Sequence, residues 1–233
     1  MYPLGVCTAG AAISTSYCGH GWLCHDIDSQ IYWGGTGGYS DQDWTLLPTH
    51  GASLNRIADL DDDGFWDIIF ANYQETGNNR EIDSYLYWGS ISDYSSADRS
   101  GLPTLGAYDT AVADLDDDGY LDVVVANYCD NSSYEVDSYI YWGSAQGFSD
   151  QDRTGLPTSG ADGATIADLD QDGILDIVLA NGRTTNTWVV DSMIYWGSLS
   201  GYSTANRTLL PTMGGRRAAV AGPGVDIARS VPW

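Results

Sequence analysis

Residues 111–128 read AVADLDDDGYLDVVVANY: small residues, then five aspartates around one glycine, then an unbroken apolar run. Two carboxylates about 4 Å apart repel by ~1 kcal/mol in water and by ~4 kcal/mol at the lower effective dielectric of a protein surface. A positive charge is therefore expected among them. The run LDVVVANY, apolar at nearly every position, predicts a short strand buried on both faces. The stretch TAVA before it, anchored by Val112, predicts another, so the acidic segment is a turn between two strands.

The same pattern returns on either side of this stretch. Acidic turns begin at Asp59 (DLDDDGFWD), Asp114 (DLDDDGYLD) and Asp168 (DLDQDGILD). LPTx followed by glycine recurs with its glycine at Gly51, Gly106, Gly160 and Gly214, and YWG recurs at Tyr32, Tyr87, Tyr141 and Tyr195, both at spacings of 55, 54 and 54. Unrelated signals sharing one period define a repeat, with units at about 1–50 (partial), 51–105, 106–159, 160–213 and 214–233 (partial) in a single domain, 1–233. Within a unit the third strand is DSYIYWGS, where Ile140 and Trp142 point one way and Tyr139 and Tyr141 the other. A turn such as SAQG then leads to a fourth short segment near FSDQDR.

Four strands per unit predict an all-β chain, a β-propeller of four-stranded antiparallel blades. A β-solenoid is the alternative, but its repeats are usually shorter. At the ends the pattern degrades: Gly222 stands where the first turn aspartate would be, and SYCG at 16–19 matches NYCD at 127–130. Two arrangements stay open, a small closed ring and a segment of a larger propeller.

Composition agrees with strands and tight turns. The formal charge is −23, with 29 Asp against 3 Glu, nine Arg, no Lys and 28 Gly, and Asp disfavours helix interiors while favouring turns. Long amphipathic helices are not expected. An acidic surface without a basic stripe excludes nucleic acid as a partner, and no apolar run approaches the ~20 residues that span a bilayer. The first ten residues, MYPLGVCTAG, lack the positive and apolar regions of a secretory signal. The cysteines are Cys7, Cys18, Cys24 and Cys129; a disulfide within the first three is possible, but they form no framework.

Each acidic turn fits D-x-D-x-D-G-x-x-D. Carboxylates at positions 1, 3, 5 and 9, a glycine for the sharp turn and a backbone carbonyl at position 7 form an oxygen-rich set suited to Ca²⁺. The expected ligands are Asp59, Asp61, Asp63, Phe65 and Asp67; Asp114, Asp116, Asp118, Tyr120 and Asp122; and Asp168, Asp170, Asp172, Ile174 and Asp176, with the Phe, Tyr and Ile acting through their carbonyls. Three Ca²⁺ sites follow. Position 4 is Asp62, Asp117 or Gln171, so that side chain is not an obligatory ligand. An EF-hand would need Glu at position 12 between helices; here position 12 is Phe70, Val125 or Leu179, inside the second strand.

The unit AVADLDDDGYLDVVVANY followed by DSYIYWGSAQGFS resembles the FG-GAP or VCBS repeat of integrin α-subunit propellers and of secreted bacterial proteins, over residues from about 26 to 213. The resemblance implies a structural Ca²⁺ in a loop joining two adjacent strands of a blade, and an extracellular or cell-surface setting. It extends to the three acidic turns; the N-terminal unit and the GPG at 222–224 depart from it.

Other candidates are weaker. Cys18, His20, Cys24 and His25 in CGHGWLCH fit no zinc template. Trp33, Trp88, Trp142 and Trp196, at one strand position in every unit, fit blade packing better than sugar stacking. Arg99, Arg153 and Arg207 recur after the fourth segment, placed to pair with aspartate or stack on a ring between blades. No catalytic constellation stands out, and no enzymatic activity is expected of these residues. The expectation is a calcium-stabilised adhesion or binding propeller whose partner is a protein or a glycan. The alternatives are a lectin-like propeller and the propeller part of a secreted polysaccharide-degrading enzyme.

Overall fold

The computed structural model describes residues 11–14, 27–35 and 37–219. They form fifteen strands and no helix. Strands β4 (Ala52–Ala58), β5 (Asp67–Asn72), β6 (Glu81–Tyr87) and β7 (Arg99–Leu105) make one four-stranded sheet in that order. A second follows as β8 (Ala107–Ala113), β9 (Asp122–Asn127), β10 (Asp137–Tyr141) and β11 (Arg153–Pro157). The third holds β12 (Ala161–Ala167), β13 (Asp176–Asn181), β14 (Val189–Tyr195) and β15 (Arg207–Met213). Ahead of these lies a three-stranded sheet of β1 (Ala11–Ser14), β2 (Ser29–Gly35) and β3 (Gly38–Leu47). Every pairing is antiparallel between sequence neighbours. These are propeller-like blades, and among the described residues they do not close into a ring.

The second strand of each four-stranded sheet is buried at all six positions, and for β5 and β9 a sheet on either side covers both faces. Val123, Val125 and Tyr141 pack on Ile69, Leu86 and Leu102 of the preceding sheet. Val124, Ala126, Ile140 and Leu156 pack on Ala164, Ile177, Leu179 and Tyr195 of the following one. Alternate residues of one strand thus serve two interfaces, as the period of two requires. The first sheet joins in the same way, Ile31 and Leu47 meeting Ile68, Phe70 and Tyr87.

The recurrent motifs are the hydrogen bonds that lock this stack. The YWG tyrosine hydroxyl donates to the carbonyl of the LPT proline one unit earlier: Tyr87 to Pro48 (2.5 Å), Tyr141 to Pro103, and Tyr195 to Pro157 (2.6 Å). The tryptophan Nε1 donates across its own sheet to the last strand, at 2.9–3.0 Å, from Trp33 to Thr45, Trp88 to Ser100, Trp142 to Thr154 and Trp196 to Thr208. Trp33 also stacks on Tyr94, and Trp142 on Tyr202, in the following sheet. The tryptophans belong to blade packing.

Two expectations need correction. The fourth strand lies mostly beyond FSDQDR: it starts at the last residue of that segment, Arg153, and runs into LPT, and the corresponding strands start at Arg99 and Arg207. The preceding residues are held in turns by serine, with Gln151 N donating to Ser149 Oγ (3.1 Å) and Asp152 N to Ser149 O (3.3 Å), a local competition that Ser and Asp favour. The second correction concerns the recurrent arginines, which begin this strand instead of following it; of the two expected roles they take the aromatic one, stacking within their own sheet, and pair with no aspartate. Arg99 lies 4.0 Å over Tyr85 and Arg153 4.2 Å over Tyr139, and each donates to the YWG tyrosine hydroxyl at 2.9 Å. Arg207 reaches Tyr195 Oη at 3.3 Å, with Met193 in the place of the stacked tyrosine.

Cys129 is buried and free. Cys7, Cys18, Cys24, His20, His25 and the GPG segment lie outside the described residues. No helix among the described residues is long and apolar enough to cross a membrane.

Candidate metal centres

The three acidic turns occupy the same place in each blade, between its first and second strands. Position 4 takes a left-handed backbone, with φ of 59° at Asp62, 61° at Asp117 and 63° at Gln171. Position 6 follows at φ near 90°, 87° at Gly64, 93° at Gly119 and 90° at Gly173, a region open to glycine at little cost. Asp and Asn visit a single left-handed position more readily than other residues with a side chain, and β-branched residues resist it most. Position 4 therefore bends the chain, which accounts for its exchange between Asp and Gln.

This bend wraps the backbone around the first aspartate. Asp59 Oδ1 accepts from Asp63 N (3.1 Å) and Oδ2 from Gly64 N (3.0 Å). Asp114 repeats the pair from Asp118 and Gly119 at 3.2 and 3.0 Å, and Asp168 from Asp172 and Gly173 at 3.1 and 3.0 Å. Position 5 turns toward its own backbone, Asp63 Oδ1 accepting from Phe65 N at 2.8 Å.

The ninth residue closes the turn from the strand side. Asp67 is buried; its Oδ2 accepts from Leu60 N (2.7 Å) and its Oδ1 from Gly89 N (2.8 Å). Asp122 and Asp176 do the same with Leu115 and Gly143 and with Leu169 and Gly197. These contacts explain the glycine of YWG. A Cβ at Gly89, Gly143 or Gly197 would run into the carbonyl oxygen of Trp66, Leu121 or Leu175, so only glycine lets the end of the third strand reach the carboxylate. Sequence reasoning missed this partner of the ninth aspartate, although the constant interval between the turn and YWG carried the signal.

Carboxylate oxygens of positions 1, 3 and 9 converge. In each of the sets Asp59, Asp61 and Asp67; Asp114, Asp116 and Asp122; and Asp168, Asp170 and Asp176, one oxygen per residue lies within 4.8 Å of the others. Ligands on opposite sides of a Ca²⁺ ion at 2.3–2.6 Å stand about 4.6–5.2 Å apart, so the span suits one such ion, and an all-oxygen set favours Ca²⁺ over Zn²⁺. The crowding is visible in the acid strengths. Burial pushes Asp67 and Asp122 up to about 6, with the carboxylates at positions 3 and 5 adding to the effect and the two backbone N–H donors opposing it. Asp176, Asp61 and Asp116 are raised as well, burial first and neighbouring aspartates next. A cation in the cluster would reverse that penalty.

A search of curated proteins gave no match. Residues 114–179 match the family model of an FG-GAP-like repeat. The match begins at the first aspartate of the second acidic turn and runs through the third turn into β13. The chain therefore contains an FG-GAP-like repeat.

Proposed function

We propose that the chain is a calcium-stabilised β-propeller module, functioning outside the cell as a binding or adhesion domain. The observation that carries this reading is the threefold convergence of aspartate oxygens in identical turns, each within 4.8 Å. Asp59, Asp61, Asp63 and Asp67, with the Phe65 carbonyl, would hold one ion; Asp114, Asp116, Asp118, Asp122 and Tyr120 a second; Asp168, Asp170, Asp172, Asp176 and Ile174 a third. Ca²⁺ supplies positive charge that offsets carboxylate repulsion and ties the first strand to the second. The protein's part is a turn already folded by its own backbone donors. Extracellular calcium modules bind at roughly 10⁻⁴ to 10⁻³ M, which suits turns this open. The binding role is supported by a stack of packed blades that presents connecting loops free to vary.

Calorimetric titration of chelated protein with Ca²⁺ tests the assignment. Three sites per chain are expected, and two in Asp114→Ala; heat indistinguishable from dilution would refute it.

A further inference from the structure

The acidic turns lie at one end of the blades, and the loops between second and third strands lie at the other. In those loops a backbone contact recurs while its side chain does not. Gly106 N donates to Arg80 O (2.7 Å), Gly160 N to Tyr134 O (2.6 Å) and Gly214 N to Trp188 O (2.7 Å). Arg80, Tyr134 and Trp188 are thus the same place in successive units. Blade construction needs the carbonyl there and leaves the side chain free. The second residue after β5, β9 and β13 varies likewise, as Gln74, Cys129 and Arg183.

At the boundary of the second and third blades these variable residues assemble. The Arg183 guanidinium carbon lies 4.3 Å from the centroid of Tyr134 and 4.3 Å from that of Trp188, bridging the two rings. Beneath them the buried Tyr128 meets Tyr134 edge-on at 5.2 Å and packs at a tilt on Tyr108 at 4.6 Å. Trp188 is 50% exposed. Arg183 donates from Nε to Thr184 O (3.1 Å). The only ion pair among the described residues is Arg56 with Asp109, so Arg183 has no carboxylate partner there, in a chain with 32 acidic residues. The nearby Glu135 is occupied by Ser133 and Thr185. The loop itself is fixed by Thr184 N to Thr187 O (2.8 Å) and by Thr185 Oγ1 to Glu135 Oε2 (3.0 Å).

Resting on the reading of the chain as a binding module, we propose that Arg183, Trp188 and Tyr134 form a site for a saccharide bearing a carboxylate, of the uronic acid class. A guanidinium held flat by rings keeps its edge for the planar, bidentate partner that a carboxylate offers, and an exposed indole offers a face to the C–H side of a pyranose. The net charge of −23 repels polyanions at long range, which favours an isolated acidic residue in a largely neutral glycan.

Titration of the calcium-loaded chain with D-galacturonate, D-galactose and N-acetyl-aspartate amide, followed by saturation-transfer NMR and calorimetry, tests this. Galacturonate should bind with a Kd of the order of 1 mM, in keeping with a ligand this small, and galactose at least tenfold more weakly. Arg183→Gln and Trp188→Ala should each weaken galacturonate at least tenfold with an unchanged melting midpoint. No saturable galacturonate binding, binding indifferent to both substitutions, or tighter binding of the aspartate derivative would each overturn the proposal. A parallel melt with and without chelator separates the two readings: calcium-dependent stability without galacturonate binding overturns only the saccharide site, and galacturonate binding without calcium-dependent stability overturns only the metal assignment.

Discussion

The ninth aspartate of each acidic turn has two structural tasks. It accepts one backbone N–H from its own turn and another from the glycine of YWG, so the carboxylate ties the third strand to the turn as well as facing the other aspartates. The glycine makes this possible. Gly143→Ala would force a methyl group against the Leu121 carbonyl and the Tyr120 Cβ, and because one of these is backbone the clash is not relieved by a rotamer change. A loss of about 2–3 kcal/mol is expected, measured as a lowered midpoint in urea. Asp162 offers a test of charge. Burial pushes its carboxyl up to about 6, with Arg216 and Arg217 pulling the other way. Since the folded value lies above the ordinary 3.8, ionisation costs stability above pH ~6 and nothing below pH ~4. Asp162→Asn should therefore melt higher than the parent at pH 7.5 by the equivalent of ~1 kcal/mol, allowing for solvent screening, and at the same midpoint as the parent at pH 4. A constant difference across pH would show that the carboxylate's charge is not the cause.

At the scale of the strand, each blade is fastened to the one before it by a tyrosine. Tyr141 Oη donates to Pro103 O and accepts from Arg153 Nη1 at 2.9 Å. Tyr141→Phe removes both contacts and leaves the Pro103 carbonyl with the longer Arg153 donor alone, for a cost of about 1–2 kcal/mol. The measurement is chemical denaturation; an unchanged midpoint would mean that these hydrogen bonds add nothing to packing of the ring. The sequence made the acidic turn, the buried second strand and the alternation of Ile140 and Trp142 against Tyr139 and Tyr141 readable, since each depends on local backbone demands or on a period of two. The start of the fourth strand was not readable, because FSDQDR alternates well enough for a strand while Ser149 captures it in a turn. For Arg153 the sequence left an aspartate or a ring as partner, and only the pairing of the third and fourth strands, which sets the guanidinium over Tyr139, decides for the ring. The Arg183 cluster was invisible for a third reason: its residues come from loops that share no motif.

For the whole molecule, the repeat gives stability a nearest-neighbour character, each sheet packing the alternate residues of its second strand on the adjoining sheets. The charge of −23 works against that compact arrangement, and twelve aspartates sit at positions 1, 3, 5 and 9 of three turns. Bound calcium would offset this repulsion at the points where first and second strands meet. With a Kd of ~10⁻⁴ M, 1 mM Ca²⁺ adds ~1.4 kcal/mol per site, or ~4 kcal/mol for three, equivalent to about 10 °C in a chain of this size. The most direct test is the melting midpoint in 1 mM Ca²⁺ against excess EGTA at fixed ionic strength. A rise of about 10 °C with calcium, reduced by roughly a third in Asp114→Ala, is the predicted result. An identical midpoint in calcium and chelator would contradict the account.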